Sequence, residues 1–321
     1  MPQPTRSDVH VNKPLTTISI AYIQAAEDFV AGQLFPIVPV MKQSDRYFSY
    51  EKSYWLKTGA QKRAPSSESA GGGFHVDNTP NYFCDVWAHH MDIDDQIRSN
   101  ADSPLDMDRD ATMFVTQNLL LRREIQFFGQ YFKPSTWTGG VGGIDIVPVV
   151  KWDVLGSDPM QDVDFQKSHI KSQTTRMPNA LVVSPDVYFA LRNNAAVLDR
   201  IKYTQTGVLD TSLLASLFGV EKFLVASAVT NTAAEGEAVA PDYILSNSAL
   251  LVYANKSPSI LQPSAGYIFS WQGLFGAGAQ GNRIMTFRME HLKADRVEGE
   301  MAFDMKLIGP DLGALFTSVL T

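Results

Sequence analysis

Residues 103–132 read SPLDMDRDATMFVTQNLLLRREIQFFGQYF, and the organisation of the chain follows from this stretch. Ser103-Pro104-Leu105-Asp106 has the residue types of a helix start: a hydroxyl at the N-cap, proline at the first helical position and a carboxylate at the third. Met107, Ala111, Phe114, Leu121, Ile125, Phe128 and Phe132 then recur on a common helical face. The spacing predicts a single helix over 104–132 that stops before Pro134, since proline cannot continue it. At 1.5 Å per residue it is about 42 Å long, beyond the usual length of a helix in a globular domain.

On its N-terminal side the chain reads as an extended excursion. Residues 1–20 are polar and dotted with Pro2, Pro4 and Pro14, the composition of a disordered arm. Phe35-Pro-Ile-Val-Pro-Val40 excludes a helix. Lys42 to Lys57 alternates as a strand, with Phe48, Tyr50, Tyr54 and Leu56 on one face and Tyr47, Ser49, Glu51, Ser53 and Trp55 on the other. A tip of small and polar residues follows, from Gly59 to Gly73. Phe74–Asp77 and Tyr82–Ile93 read as the returning strand. A two-stranded hairpin is marginal alone, so its aromatic residues need something to lie on.

On its C-terminal side, Gly139-Gly-Val-Gly-Gly143 is a loop, and residues 175–262 alternate between strand and helix. Leu181–Val183, Phe223–Val229 and Tyr243–Tyr253 read as strands. Pro185 to Asn194 and Leu209 to Phe218 read as helices, and Thr232–Ala240 as a loop. Arg283–His291 and Arg296–Ile308 alternate as long strands that pack on the long helix, before a short apolar tail, Leu312–Leu320. No internal repeat is visible. The fold class is α+β.

Composition narrows the function. In 321 residues, 45% are apolar and 19% charged, against about 25% charged in an average soluble protein. This excludes a disordered, collagen-like or coiled-coil chain. One cysteine, Cys84, excludes an internal disulfide framework. The net charge of −7 argues against a surface made to grip phosphates but allows a protein that encloses nucleic acid. No basic-then-apolar leader is visible at the N-terminus. The uncharged run Ser257–Asn282 holds two prolines and five glycines and is not a membrane span. Few charges with 18 Phe, 11 Tyr and 5 Trp suit surfaces buried against other subunits as well as an ordinary large core.

No motif in the chain carries recognisable catalytic chemistry. Gly276-Ala-Gly278-Ala-Gln-Gly281 matches GxGxxG, but Ile284–Phe287 after it alternates as a strand where a dinucleotide site needs a helix. Ser49-Tyr-Glu-Lys52 and Lys57-Thr-Gly59 share letters with penicillin-binding motifs but sit too close together on one hairpin. Cys84, His89, His90, Asp92, Asp94 and Asp95 fit no zinc spacing, and neighbouring strand histidines point to opposite faces. Asp106, Asp108 and Asp110 open like a calcium loop, but Ala111 and Gln117 stand where glycine and glutamate are required. Acidic residues there suit the helix dipole. Asp186 and His169 lack visible catalytic partners. No cofactor and no metal are expected.

Taken together, the arm, long hairpin, long helix, mixed α/β region and return strands resemble the major capsid proteins of tailed bacteriophages, with the Hong Kong 97-type fold. The resemblance is carried by Phe35-Pro-Ile-Val-Pro-Val40, Arg63-Ala-Pro-Ser-Ser-Glu-Ser-Ala-Gly-Gly-Gly-Phe74, Trp87-Ala-His-His-Met-Asp-Ile93, and Ala101–Thr112 leading into Leu119-Leu-Leu-Arg-Arg-Glu124. It implies an N-terminal arm at 1–32 and an extended loop at 42–82 lying over a neighbouring subunit. It implies a peripheral domain of 83–175 with 263–321, its spine helix at 104–132. The axial domain is then 176–262, with the 232–240 loop near the centre of each capsomer. Copies would form hexamers and pentamers that close an icosahedral shell around double-stranded DNA in the virion, assembled in the host bacterial cytoplasm, with no membrane contact. A portal protein and, in some relatives, a decoration protein would be partners. Many relatives begin with a cleaved scaffolding region; the arm here starts within the first twenty residues, so a separate scaffolding protein is expected. Some relatives cross-link a loop lysine to an asparagine. Lys52, Lys57 and Lys62 are present, but no matching asparagine or catalytic glutamate is identifiable.

The hairpin aromatics Phe48, Tyr54 and Trp55 are the expected interface residues, and Gly71, Gly72 and Gly73 the expected hinge at the root of the loop. Two alternatives remain at this level: an encapsulin-like compartment shell, which shares the fold, and an α/β nucleotide-binding enzyme using the 276–281 glycines.

Overall fold

The computed structural model describes residues 24–101, 105–202, 209–255, 263–275 and 282–321. From the N-terminal side come α1 (Ala31–Leu34), β1 (Ile37–Val40), β2 (Ser44–Arg46), β3 (Ser49–Tyr50) and α2 (Lys52–Trp55). The chain returns through β4 (Val76–Asp77), β5 (Asn81–Phe83) and β6 (Asp85–Asp94) into α3 (Asp95–Asn100) and α4 (Met107–Tyr131). The middle holds α5 (Pro159–Thr174), β7 (Ala180–Val183), α6 (Pro185–Asn193), α7 (Ala195–Ile201) and α8 (Thr211–Leu217). It continues with β8 (Lys222–Val225), β9 (Val229–Asn231), β10 (Pro241–Tyr243) and β11 (Ser248–Val252). The last part holds β12 (Gly266–Trp271), α9 (Gln272–Phe275), β13 (Asn282–Met289), β14 (Ala294–Leu307) and β15 (Gly313–Thr317).

The long helix α4 is present but starts later than the sequence suggested. Its N-cap is Asp106, whose carboxylate accepts the Arg109 amide at 3.1 Å; Ser103 and Pro104 lie outside the described residues. Its inward residues are also not the expected set. Ala111 and Phe128 are buried, but so are Val115, Leu119, Phe127 and Tyr131, whereas Phe114 is exposed. Two different surfaces explain this. The N-terminal half of α4 lies on the sheet through Val115 and Leu119. The C-terminal half packs on Phe35, whose ring centroid is 5.0 Å from Phe127 and 4.9 Å from Tyr131.

That sheet is built on β14. Over residues 294–303 this strand is antiparallel to β6, and over 294–301 to β13, while its C-terminal half pairs with β12. β1 adds to β12 in parallel. The contact with α4 is close because β14 presents Gly299, where a Cβ would fall 2.4 Å from Val115 Cγ1 and 3.0 Å from Leu119 Cδ1. Arg296 on β14 makes two bonds to Asp92 on β6, at 2.6 and 2.8 Å, and holds that carboxyl below the usual aspartate range.

A second sheet runs β15-β11-β7-β8, with only β7–β8 parallel. It is buried on both faces. Val182, Leu250 and Leu315 face the core under α4, whereas Leu181, Val183, Leu251 and Phe316 face a second core shared with α5, α6 and α8. Successive strand residues point to opposite faces, so Ala180-Leu-Val-Val183 is apolar throughout rather than alternating.

Several expectations are corrected here. The strand proposed from Lys42 to Lys57 is broken into β2 and β3 and then turns into the helical turn α2, so Tyr54 and Trp55 are not alternate strand residues. Helix α5 was unpredicted because its pattern is masked by buried polar residues. Gln166 and Lys167 face inward, and the Lys167 ammonium donates to the Phe218 carbonyl at the C-terminal end of α8, where a cation meets free carbonyls. Strand β12 and strand β15 were unpredicted as well, the second lying in what read as a tail. The glycines of 276–281 lie outside the described residues.

Candidate assembly surfaces

The hairpin leaves the body of the protein through β2 and β5, which pair from Ser44↔Phe83 to Arg46↔Asn81, and narrows to the two-residue ladder of β3 with β4. Its root is packed: Tyr47 and Tyr82 stack on Phe269 of β12, with ring centroids at 5.5 and 4.6 Å. Beside them Cys84 is buried, its thiol directed to the Phe269 carbonyl at 3.5 Å and pushed up to about 12 by burial. It is a packing residue.

Beyond the root the aromatics emerge. Trp55 leans on Phe74 (5.4 Å) and Tyr50 (6.3 Å) yet is 56% exposed, with Phe48 at 61% and Tyr54 at 49%. A monomer gains little from aromatic rings left in water. The structure therefore brings Trp55 into a cluster with Tyr50 and Phe74 and leaves Phe48 and Tyr54 outside it. Gly71, Gly72 and Gly73 lie in open space, where a Cβ would meet nothing within 4 Å, and none takes a left-handed backbone.

The first described residues are fastened at three places. Gln24 bonds both backbone groups of Val229, donating at 2.7 Å and accepting at 2.9 Å. The Ser227 hydroxyl meets Asp28 at 2.5 Å. Glu124, fully buried on α4, accepts the backbone amides of Val30 and Ala31 at the start of α1. Burial pushes this carboxyl up to about 7 despite those amides and the neighbouring Arg123 guanidinium. Sequence reading passed over Glu124, which looks there like one more charge in Arg122-Arg123-Glu124.

The candidate ligand residues have structural roles. His89 and His90 lie on β6 with opposite exposure, as the alternation requires. His89 Nε2 is buried without a partner, its ring rests 5.5 Å from Phe114, and burial pushes its pKa down, which favours the neutral form. Asp94 caps α3 by accepting the Gln96 amide at 2.7 Å, Asp95 holds Arg288, and Asp186 accepts the Asn247 amide at 2.7 Å. Among the described residues no three histidine, cysteine or acidic side chains are grouped to hold a metal ion, and no helix is long and apolar enough to cross a membrane.

A long hairpin, a long helix laid on a five-stranded sheet and a two-faced second sheet together make the α+β Hong Kong 97-type capsid fold. The comparisons agree along the whole length. The chain is similar to the major capsid protein of Burkholderia phage BcepMu, at 24% identity over 96% of both chains. It is also similar to that of Pseudomonas phage JBD67, at 22% identity over 97% of both. Among solved structures it superposes on a phage-related protein from Bordetella bronchiseptica with a TM-score of 0.70, at 19% identity over 97% of this chain and 98% of that one. The capsid of cyanophage P-SCSP1u gives 0.60 at 14% identity, covering 98% of both. The SrpI encapsulin of Synechococcus elongatus also gives 0.60, at 12% identity over 96% of this chain and 95% of that one. No family model matches the chain. The resemblance to phage major capsid proteins holds, and the chain is a structural protein of that class rather than an enzyme.

Proposed function

We propose that this chain is the shell subunit of a tailed phage, forming hexamers and pentamers that close an icosahedral capsid around double-stranded DNA. The observation that carries this reading is end-to-end similarity to a phage major capsid protein, over 96% of both chains. In this reading residues 1–32 are the arm, 42–82 the extended loop and 176–262 the axial domain. Residues 83–175 with 263–321 form the peripheral domain around α4. Phe48, Tyr54 and Trp55 make contacts between subunits, and Gly71–Gly73 let the loop adjust to different positions in the shell. A separate scaffolding protein, a portal and in some shells a decoration protein complete the particle, which assembles in the bacterial cytoplasm. The net charge of −7 suits a wall that encloses DNA without gripping it.

Electron microscopy and analytical ultracentrifugation of the expressed chain test this. Closed shells, tubes or rings of six support the shell reading, and closed shells from this chain alone would count against a separate scaffolding protein. A monomer that binds a nucleotide would overturn the shell reading in favour of the enzyme reading. The equal TM-score to an encapsulin sustains a second reading as a cellular compartment shell. Particles from the phage-producing cell that protect double-stranded DNA from nuclease support the virion, and particles carrying protein cargo support the compartment.

A further inference from the structure

Residues 24–34 belong to no sheet. Among the described residues, their backbone-to-backbone bonds stay within the segment: the Asp28 amide reaches Ala25, and the Gln33, Leu34 and Phe35 amides reach Val30 and Ala31. Side chains hold the segment to the rest of the fold. Gln24 meets Val229, Asp28 meets Ser227, and Lys222 of β8 donates to the Gln33 carbonyl at 3.1 Å. One end is anchored, because Phe35 is locked against Phe127 and Tyr131 and β1 is laddered to β12. A contiguous segment with few backbone bonds to its surroundings can open locally while the core stays folded.

The fastening on α4 is a carboxyl. Glu124 is fully buried, and its Oε1 accepts the amides of both Val30 and Ala31, with Oε2 also 3.1 Å from the Ala31 amide. A protonated carboxyl keeps this pattern with its proton on Oε2, whereas an ionised one must stay charged out of water. Little is at hand to neutralise it. Arg123 is the one charged group among the described residues that acts on it, and adjacent helical positions point about 100° apart. The Arg123 guanidinium lies against Gly32, where a Cβ would fall 3.5 Å from Nη2. On the facing segment Asp28 is taken up by Ser227 and Glu27 is exposed, and on β8 Lys222 is committed to Gln33. The core that α4 covers here, with Leu119, Phe127, Phe128 and Leu250, is apolar.

We propose that residues 24–33 are a pH-sensitive strap, locked on α4 while Glu124 holds a proton and released from it, without unfolding of the subunit, as Glu124 ionises. In the opened strap the carboxyl is in water and regains its ordinary 4.5, against about 7 when closed. A group whose value is raised by closure favours closure below the lower value and loses that preference through the higher one. Opening therefore becomes easier about tenfold per pH unit between the two values and levels off above 7, about 300-fold in all. The strap belongs to the single subunit, and its opening does not depend on assembly.

Hydrogen exchange followed by mass spectrometry on the full chain, between about pH 5 and 8 and corrected for the intrinsic pH dependence, measures this opening. Peptides covering 25–34 should exchange faster than those of β11 at every pH, and their protection should fall about tenfold per pH unit up to pH 7. Glu124→Gln should remove that fall. Gln24→Ala, which deletes both bonds to Val229, should speed exchange of the strap about tenfold at every pH and leave the slope intact. Protection of the wild-type strap that does not change with pH overturns the proposal, as does a slope that persists in Glu124→Gln. Protection of 25–34 equal to that of β11 also overturns it, because the strap then opens only when the whole subunit unfolds. Should Glu124→Gln fail to fold, the wild type and Gln24→Ala still decide between these outcomes.

Discussion

Glu124 shows how much one buried carboxyl can do. It ties the start of α1 to α4 and is pushed up to about 7 from an ordinary value of 4.5. A carboxyl raised in the folded state contributes its stability below pH 4.5 and loses it as pH rises towards 7, where folding must bury the charge. Glu124→Gln should therefore flatten the pH dependence of unfolding between pH 4.5 and 7, removing a change on the order of 3 kcal/mol. Urea titrations at several pH values would show it, and parallel curves for both proteins would contradict it. Trp55 tests the hairpin at the same scale. Trp55→Ala should change subunit stability by less than about 0.5 kcal/mol, as for an exposed site, while sedimentation shows a reduced assembled fraction. A large fall in stability with normal assembly would place Trp55 as a packing residue of its own hairpin.

Among the elements, the contact of α4 with β14 depends on a missing side chain. Gly299 admits Val115 and Leu119 to within van der Waals distance of the strand, so a larger residue must push helix and sheet apart. Gly299→Val should destabilise by about 1–3 kcal/mol, the usual cost of overpacking, and thermal unfolding measures it. Valine favours strands, so a stabilised variant would mean that the helix does not lie where it is described. The helix itself was legible from residue spacing. The set of residues it buries was not, because Val115 and Leu119 meet a sheet while Phe127 and Tyr131 meet Phe35, and no single periodic stripe describes two partners.

For the molecule as a whole, the sheet β15-β11-β7-β8 lies between both cores. A sheet shared in this way couples them, so the unassembled subunit should unfold in one calorimetric transition. Leu181→Ala, on one face, and Leu250→Ala, on the other, should each lower that same transition by an amount equivalent to about 2–5 kcal/mol. Two transitions, each moved by only one variant, would show that the cores melt independently. Assembly belongs to this scale too. A chain with exposed aromatics on a hairpin and exposed aliphatics between α4 and α5 reaches its lowest free energy only among copies, where both surfaces leave water.

The order of elements was written in the sequence, because proline, glycine and apolar period act over a few residues: the extended excursion, α4 and the paired strands β13 and β14 were all visible. The class of protein followed from that order. Tertiary structure decided the rest. It turned Lys52–Trp55 from strand to helical turn, gave Lys167 the carbonyl of Phe218 and set Glu124 against the amides of Val30 and Ala31. It also exposed Val149 and Leu155 on the segment between α4 and α5. In each case the partner lies far along the chain or on no part of it, and local pattern carries no information about a partner at that distance.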